Sequence, residues 1–188
     1  MFRGSKINLK VHFIETSYIA FLLLVFFVIF MSINTNKPVG LNIISLEDSG
    51  VPKITDLKPR NILKIKLDKN NSLTINGENI SNDQVNSIVK EFIDNPDNQN
   101  NLPEKGWRNI PYFGPMLITL KHVIYFEYSK QSTFGAYIDI RKRLRNAYMQ
   151  LCDELAEKKW QKKFKTLLPN EQKAVLMVYP QQISENIY

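Results

Sequence analysis

Residues 15–33 read ETSYIAFLLLVFFVIFMSI, and the organisation of the chain follows from them. From Tyr18 to Met31, fourteen consecutive residues carry no polar group except the tyrosine hydroxyl. The nineteen residues from Glu15 to Ile33 make roughly 28 Å of helix at about 1.5 Å per residue. That length matches the roughly 30 Å hydrocarbon core of a bilayer. The apolar run alone is too short to span, so the helix has to recruit Glu15, Thr16 and Ser17. A single acid is thereby set at one membrane face, where a charge costs less than at the helix centre. Two other readings compete: the apolar part of a cleaved signal peptide, since Lys6 and Lys10 precede it, and a buried helix of a soluble fold. Bulky Phe30 and Met31, with no small-residue cleavage pattern before Lys37, favour an uncleaved anchor.

Flanking charge sets the orientation. Arg3, Lys6 and Lys10 stand before the helix with no acid until Glu15, while Lys37 and Lys53 after it are offset by Glu47 and Asp48. The positive side stays in the cytoplasm. The expected layout is a cytoplasmic tail 1–14, a transmembrane helix 15–33, a linker 34–61 and an outer domain 62–188.

Composition narrows the function classes. Lys and Arg number 25 against 18 Asp and Glu, a net charge of +7, which suits anionic neighbours such as lipid heads or cell-wall polymer. Nucleic acid does not fit basic residues that lie beyond a membrane anchor without interleaved aromatics. A lone cysteine, Cys152, excludes an internal disulfide framework and reads as a buried thiol or an intermolecular bridge. The two histidines and that cysteine are too scattered for a zinc site. No phosphate-binding glycine loop, serine nucleophile elbow or H-E-x-x-H motif is present, so no enzyme, cofactor or metal is expected.

Residues 34–61 carry Pro38, Pro52 and Pro59 with no sustained period, as a linker would, although Val39 to Ile44 has strand composition and suits a sheet edge or a second copy. Leu63, Ile65 and Leu67 then alternate with lysines as a half-buried strand, Asp68 to Asn71 turns, and Leu73 to Ile75 returns; Asn76-Gly77 ends that strand. Ser81-Asn-Asp-Gln84 is a capping box for a helix with Val85, Ile88, Val89, Phe92 and Ile93 on one face. Residues 95–115 read as an irregular Asn- and Pro-rich insertion, and Lys121 to Tyr128 as another strand. Thr133 opens a long helix with Phe134, Tyr137, Leu144, Tyr148, Leu151 and Leu155 on its apolar face. Its outer face carries Arg141, Lys142, Arg143, Arg145 and then Lys158, Lys159, Lys162, Lys163 and Lys165. Residues 165–188 read as a helical extension, with a short helix from Pro169 to about Val178 and a last strand in Gln181 to Glu185. The order predicts a small two-layer α+β domain with its helices on one sheet face.

A short tail, an anchor with an acid near its inner end, a linker and a small α+β domain together resemble the ExbD/TolR family of membrane motor subunits. Two segments make the likeness specific to a long-tailed ExbD-like branch: Asn101-Leu-Pro-Glu-Lys with Ile110-Pro-Tyr-Phe-Gly114, and LPNEQKAVLMVYPQQISE from Leu168 to Glu185. The resemblance implies a bacterial inner-membrane subunit with its domain in the periplasm, driven by the proton motive force. It also implies an ExbB-like polytopic partner, a TonB-like protein that serves outer-membrane transporters, and a second ExbD-like copy. The family's membrane helix carries an Asp that is thought to move protons, and that Asp is absent here. Aligned on Phe13-Ile-Glu-Thr-Ser-Tyr-Ile19, Glu15 takes its place; aligned on the leucine run, Tyr18 does. The resemblance therefore implies Glu15 as the proton carrier, with Thr16, Ser17 and Tyr18 as same-face pore contacts. A phenol does not exchange protons near neutral pH, so the second register implies a non-conducting companion. A passive wall-binding anchor, gripping acidic polymer with the basic helix, is the reading from another class.

Overall fold

The computed structural model describes residues 17–28 and 57–188. They belong to two compact units, residues 1–41 and 42–188. In the first unit, residues 17–28 form helix α1, exposed throughout except at half-buried Val25. Among the described residues no helix is long and apolar enough to cross a membrane. The expected span, 15–33, extends past both ends of α1, and the strand-like segment 39–44 also lies outside the described residues.

The second unit is built on a five-stranded mixed sheet. Strand β1 (Ile62–Leu67) lies at its centre, followed in the chain by β2 (Leu73–Ile75) and β3 (Glu78–Asn79). After helix α2 (Val85–Asp94) come β4 (Lys105–Ile110), β5 (Gly114–Thr119) and β6 (Val123–Tyr128). Helix α3 (Phe134–Trp160), helix α4 (Pro169–Val178) and strand β7 (Ile183–Ile187) complete it. The main sheet runs β3-β2-β1-β6-β7, with β1, β6 and β7 parallel, while β4 and β5 form a separate antiparallel pair.

Alternation dictates this layer. Leu63, Ile65 and Leu67 point into the core and Lys64 and Lys66 to solvent, because successive strand residues face opposite sides. Leu73, Ile75, Ile124 and Phe126 join them, and Val85, Val89, Phe92 and Ile93 of α2 pack on the same cluster as Ile140, Leu144, Ala147, Tyr148 and Leu151 of α3. The domain is α+β, with both helices on one face of a mixed sheet.

Local chemistry sets the element ends. The Gln84 side chain accepts the Ser81 N–H at 3.1 Å ahead of α2, using one of the donors a helix start leaves free. Thr133 Oγ1 accepts the Ala136 N–H at 3.3 Å at the start of α3, and the Thr133 N–H donates to Asn71 Oδ1 at 2.8 Å. The β1–β2 turn thus anchors the long helix.

Asn76-Gly77 ends β2 as expected: with φ of 50° and 91° the pair makes the left-handed two-residue turn that hairpins require, and β3 follows it. Three sequence expectations are corrected. Residues 95–115 are not irregular throughout, since the β4–β5 pair begins inside them. Pro111, Tyr112 and Phe113 make its turn, with Tyr112 at φ 68° and the Phe113 N–H on Ile110 O at 3.1 Å, and Gly114 opens β5 at φ 75°. Phe134 is 76% exposed, because it stands in the first turn of α3, before the helix reaches the sheet. Lys162, Lys163 and Lys165 are not on α3, which ends at Trp160 with Gln161 left-handed at φ 55°.

Candidate functional site

Of the four residues nominated from the sequence, two lie outside the described residues: Glu15 and Thr16. Ser17 and Tyr18 occupy the first two positions of α1, and Tyr18 is 65% exposed. Around them Ile19, Phe21, Leu22, Leu23, Leu24 and Phe27 are also exposed. Most of the helix surface is therefore apolar.

The outer domain shows what the sequence motifs build. In Ile110-Pro-Tyr-Phe-Gly114, Ile110 is buried with Ile118, Ala174 and Val178, so one face of the hairpin rests on α4. Its tip packs edge-on against the end of α3, with the Phe113 and Tyr112 rings 5.2 and 6.0 Å from Trp160. Asn95 orders the loop before the hairpin: its side chain accepts the Gln99 N–H at 2.7 Å and donates to Pro103 O at 2.9 Å. The outward face of the hairpin carries Trp107, 70% exposed.

The Pro180-Gln-Gln-Ile-Ser-Glu185 segment turns α4 into β7, and its glutamate is a clamp. Glu185 accepts the Tyr137 O–H at 2.8 Å and pairs with Arg141 Nε at 3.0 Å. Burial, then the carboxylate, push the Tyr137 phenol up to about 12. Arg143 pairs with Asp139 at 2.9 Å and Asp83 at 3.2 Å. Of the nine cations expected on a free outer face, Arg141, Arg143 and Lys163 are therefore paired with acids of the domain.

A buried polar cluster escaped the sequence reading. His122 Nε2 lies 3.1 Å from the Tyr148 hydroxyl, whose oxygen accepts the Gln182 N–H at 3.3 Å. On the other side Nδ1 lies 3.4 Å from Thr119 Oγ1, which donates to Ile93 O at 2.6 Å. Burial lowers His122 to about 4, partly opposed by a backbone bond to Pro180, so the ring is neutral. The available signal was a histidine abutting Val123-Ile124, on the threshold of a buried strand. Cys152 is buried, and burial followed by Asp153 pushes its thiol up to about 12, the state of an unreactive core cysteine. Among the described residues no cluster of His, Cys, Asp or Glu could hold a metal ion.

The described residues thus hold a short apolar helix in one unit and a two-layer α+β domain in the other. A family model described as "Biopolymer transport protein ExbD/TolR" matches residues 16–152. That is more than half of the chain, and the chain belongs to the ExbD/TolR family of biopolymer transport proteins. The match ends at Cys152 within α3, so α4 and β7 lie beyond it. No curated protein matches the chain.

Proposed function

We propose that this chain is the ExbD-like subunit of a proton-driven motor in the bacterial inner membrane, energising TonB-dependent transport across the outer membrane. Membership of the family over residues 16–152 carries this reading, and the apolar run from Tyr18 to Met31 supports it. In it, residues 15–33 cross the membrane once, the N-terminus is cytoplasmic and the domain is periplasmic. An ExbB-like polytopic protein surrounds the helix, a second ExbD-like copy stands beside it, and a TonB-like protein receives the force. Cell-wall polymer is a further partner of the domain.

The carboxyl group of Glu15 is the proposed proton carrier. A carboxyl is charged where it meets water and neutral where it is buried, so alternating exposure couples protonation to movement. Each charge crossing 100 mV releases about 2.3 kcal/mol. Glu15→Gln removes the exchange while keeping the shape. Uptake through outer-membrane transporters should fail, with unchanged amount of protein in the membrane and unchanged co-elution of the polytopic partner in mild detergent. Absence of any such partner sinks the motor reading.

One observation favours a second reading. The family match begins at Thr16, so it includes Tyr18 and leaves out Glu15. With Tyr18 at the acid position the chain is a non-conducting companion of an acid-bearing paralogue, and Glu15→Gln leaves uptake intact.

A further inference from the structure

From Lys158 to Lys173 the chain carries six lysines and one acid, Glu171. The fold gathers them. α3 ends at Trp160, the chain reverses through a 3-10 turn at Phe164–Thr166, and α4 starts at Pro169. The Gln172 side chain donates to Phe164 O at 3.2 Å and to Leu167 O at 3.2 Å, drawing the first turn of α4 against that reversal.

The nearby acids leave most of these lysines unmatched. Glu171 accepts the Leu168 N–H at 2.9 Å, Asp153 accepts the Phe164 N–H at 2.9 Å, and Glu157 pairs with Lys163 at 3.3 Å. Among the described residues no carboxylate pairs with Lys158, Lys162, Lys165 or Lys173, all exposed. Leu168, between Lys165 and Lys173 in the chain, is 67% exposed, although Leu167 beside it is buried. This surface lies outside the family-matched residues.

We infer that the reversal between α3 and α4 is a docking surface for an anionic lipid bilayer. Clustered lysines gather at acidic headgroups, and an apolar side chain ringed by cations enters the headgroup layer while the ammonium groups remain in water. A soluble acidic polymer would satisfy the lysines but gives no use to a projecting leucine. The domain would thus rest on the leaflet it faces, a step beyond the anchored reading given above.

The test uses the full chain with Asn170→Cys, labelled with an environment-sensitive nitrobenzoxadiazole dye; Cys152 is buried and stays unlabelled. Vesicles of phosphatidylcholine alone are compared with vesicles also containing phosphatidylglycerol. The expected result is a blue-shifted, severalfold brighter emission only with the anionic vesicles. Lys162→Glu with Lys165→Glu should abolish it, and Leu168→Ser should remove the blue shift, with thermal midpoints no lower than the parent's, because these side chains are exposed and serine suits the N-cap of α4. Equal emission in the two vesicles overturns the inference. So does a response to soluble polyglutamate without one to vesicles, and so does an unchanged shift in Leu168→Ser. Recovery of the chain with neutral vesicles reads the anchor separately, so loss of the anchor and loss of the docking surface are told apart.

Discussion

The Tyr137 hydroxyl donates to Glu185 Oε2 at 2.8 Å, tying the first turns of α3 to the edge strand β7 across 48 residues of chain. Arg141 holds the other oxygen of the same carboxylate at 3.0 Å. A hydrogen bond to a charged group contributes about 1.5–3 kcal/mol, and part-exposure places this one near the lower end. Tyr137→Phe should cost about 1–2 kcal/mol in urea unfolding. Glu185→Gln should cost at least as much, since it also leaves Arg141 without its partner. Equal stability of all three proteins would show that the clamp contributes nothing.

His122 makes stability depend on pH. Its folded pKa, about 4, lies below the ordinary 6.5, so between those values the unfolded chain binds the extra proton. Stability contributed by the neutral ring is complete above pH 6.5 and is lost as pH falls toward 4. The loss should be on the order of 3 kcal/mol across that window. Denaturation midpoints at several pH values should fall on acidification, and His122→Phe should flatten the slope in this window even if it is less stable at neutral pH.

Gly77 stands at φ 91° with open space where a Cβ would go. Backbone conformation, not crowding, makes glycine necessary there. Gly77→Ala should cost about 1 kcal/mol, read as a lower thermal midpoint. An unchanged midpoint would mean that the turn relaxes into another type.

Phe134 and Leu144 sit on the same helix and test burial against pattern. Leu144 is 1% exposed and Phe134 76%. Leu144→Ala should cost about 2–5 kcal/mol, whereas Phe134→Ala should cost under about 1 kcal/mol. Urea unfolding of the two variants separates them, and similar losses would place Phe134 in a contact that the domain alone does not make.

Periodicity made the half-buried strand at Leu63, Ile65 and Leu67 readable, and the capping residues Ser81 and Thr133 marked two helices near their true starts. The pairing order was not readable: nothing local tells β7 to lie beside β6, because that choice depends on how α3 and α4 route the chain. The β4–β5 pair was hidden by Pro111 and Gly114, which signal breaks equally well in a loop and in a hairpin turn. Arg141 read as free surface because its acid, Glu185, lies far off in sequence; Arg143 also reaches the distant Asp83, although its closer partner Asp139 stands four residues earlier on the same helix. Of the nominated site, helix α1 carries Ser17 and Tyr18, while the place of Glu15 rests on an alignment choice between two registers about one turn apart.

The central position of β1 has a mechanical consequence. The chain enters β1 through Ile62, and the strand pairs along one side with β6 over its full length and along the other with β2 over Ile65 to Leu67. Tension applied at that point and balanced elsewhere in the domain runs lengthwise along the strand, shearing two ladders together instead of peeling one apart rung by rung. A strand held on both flanks yields only when many bonds give way at once, so the unit is built to be tugged from its entrance without unravelling.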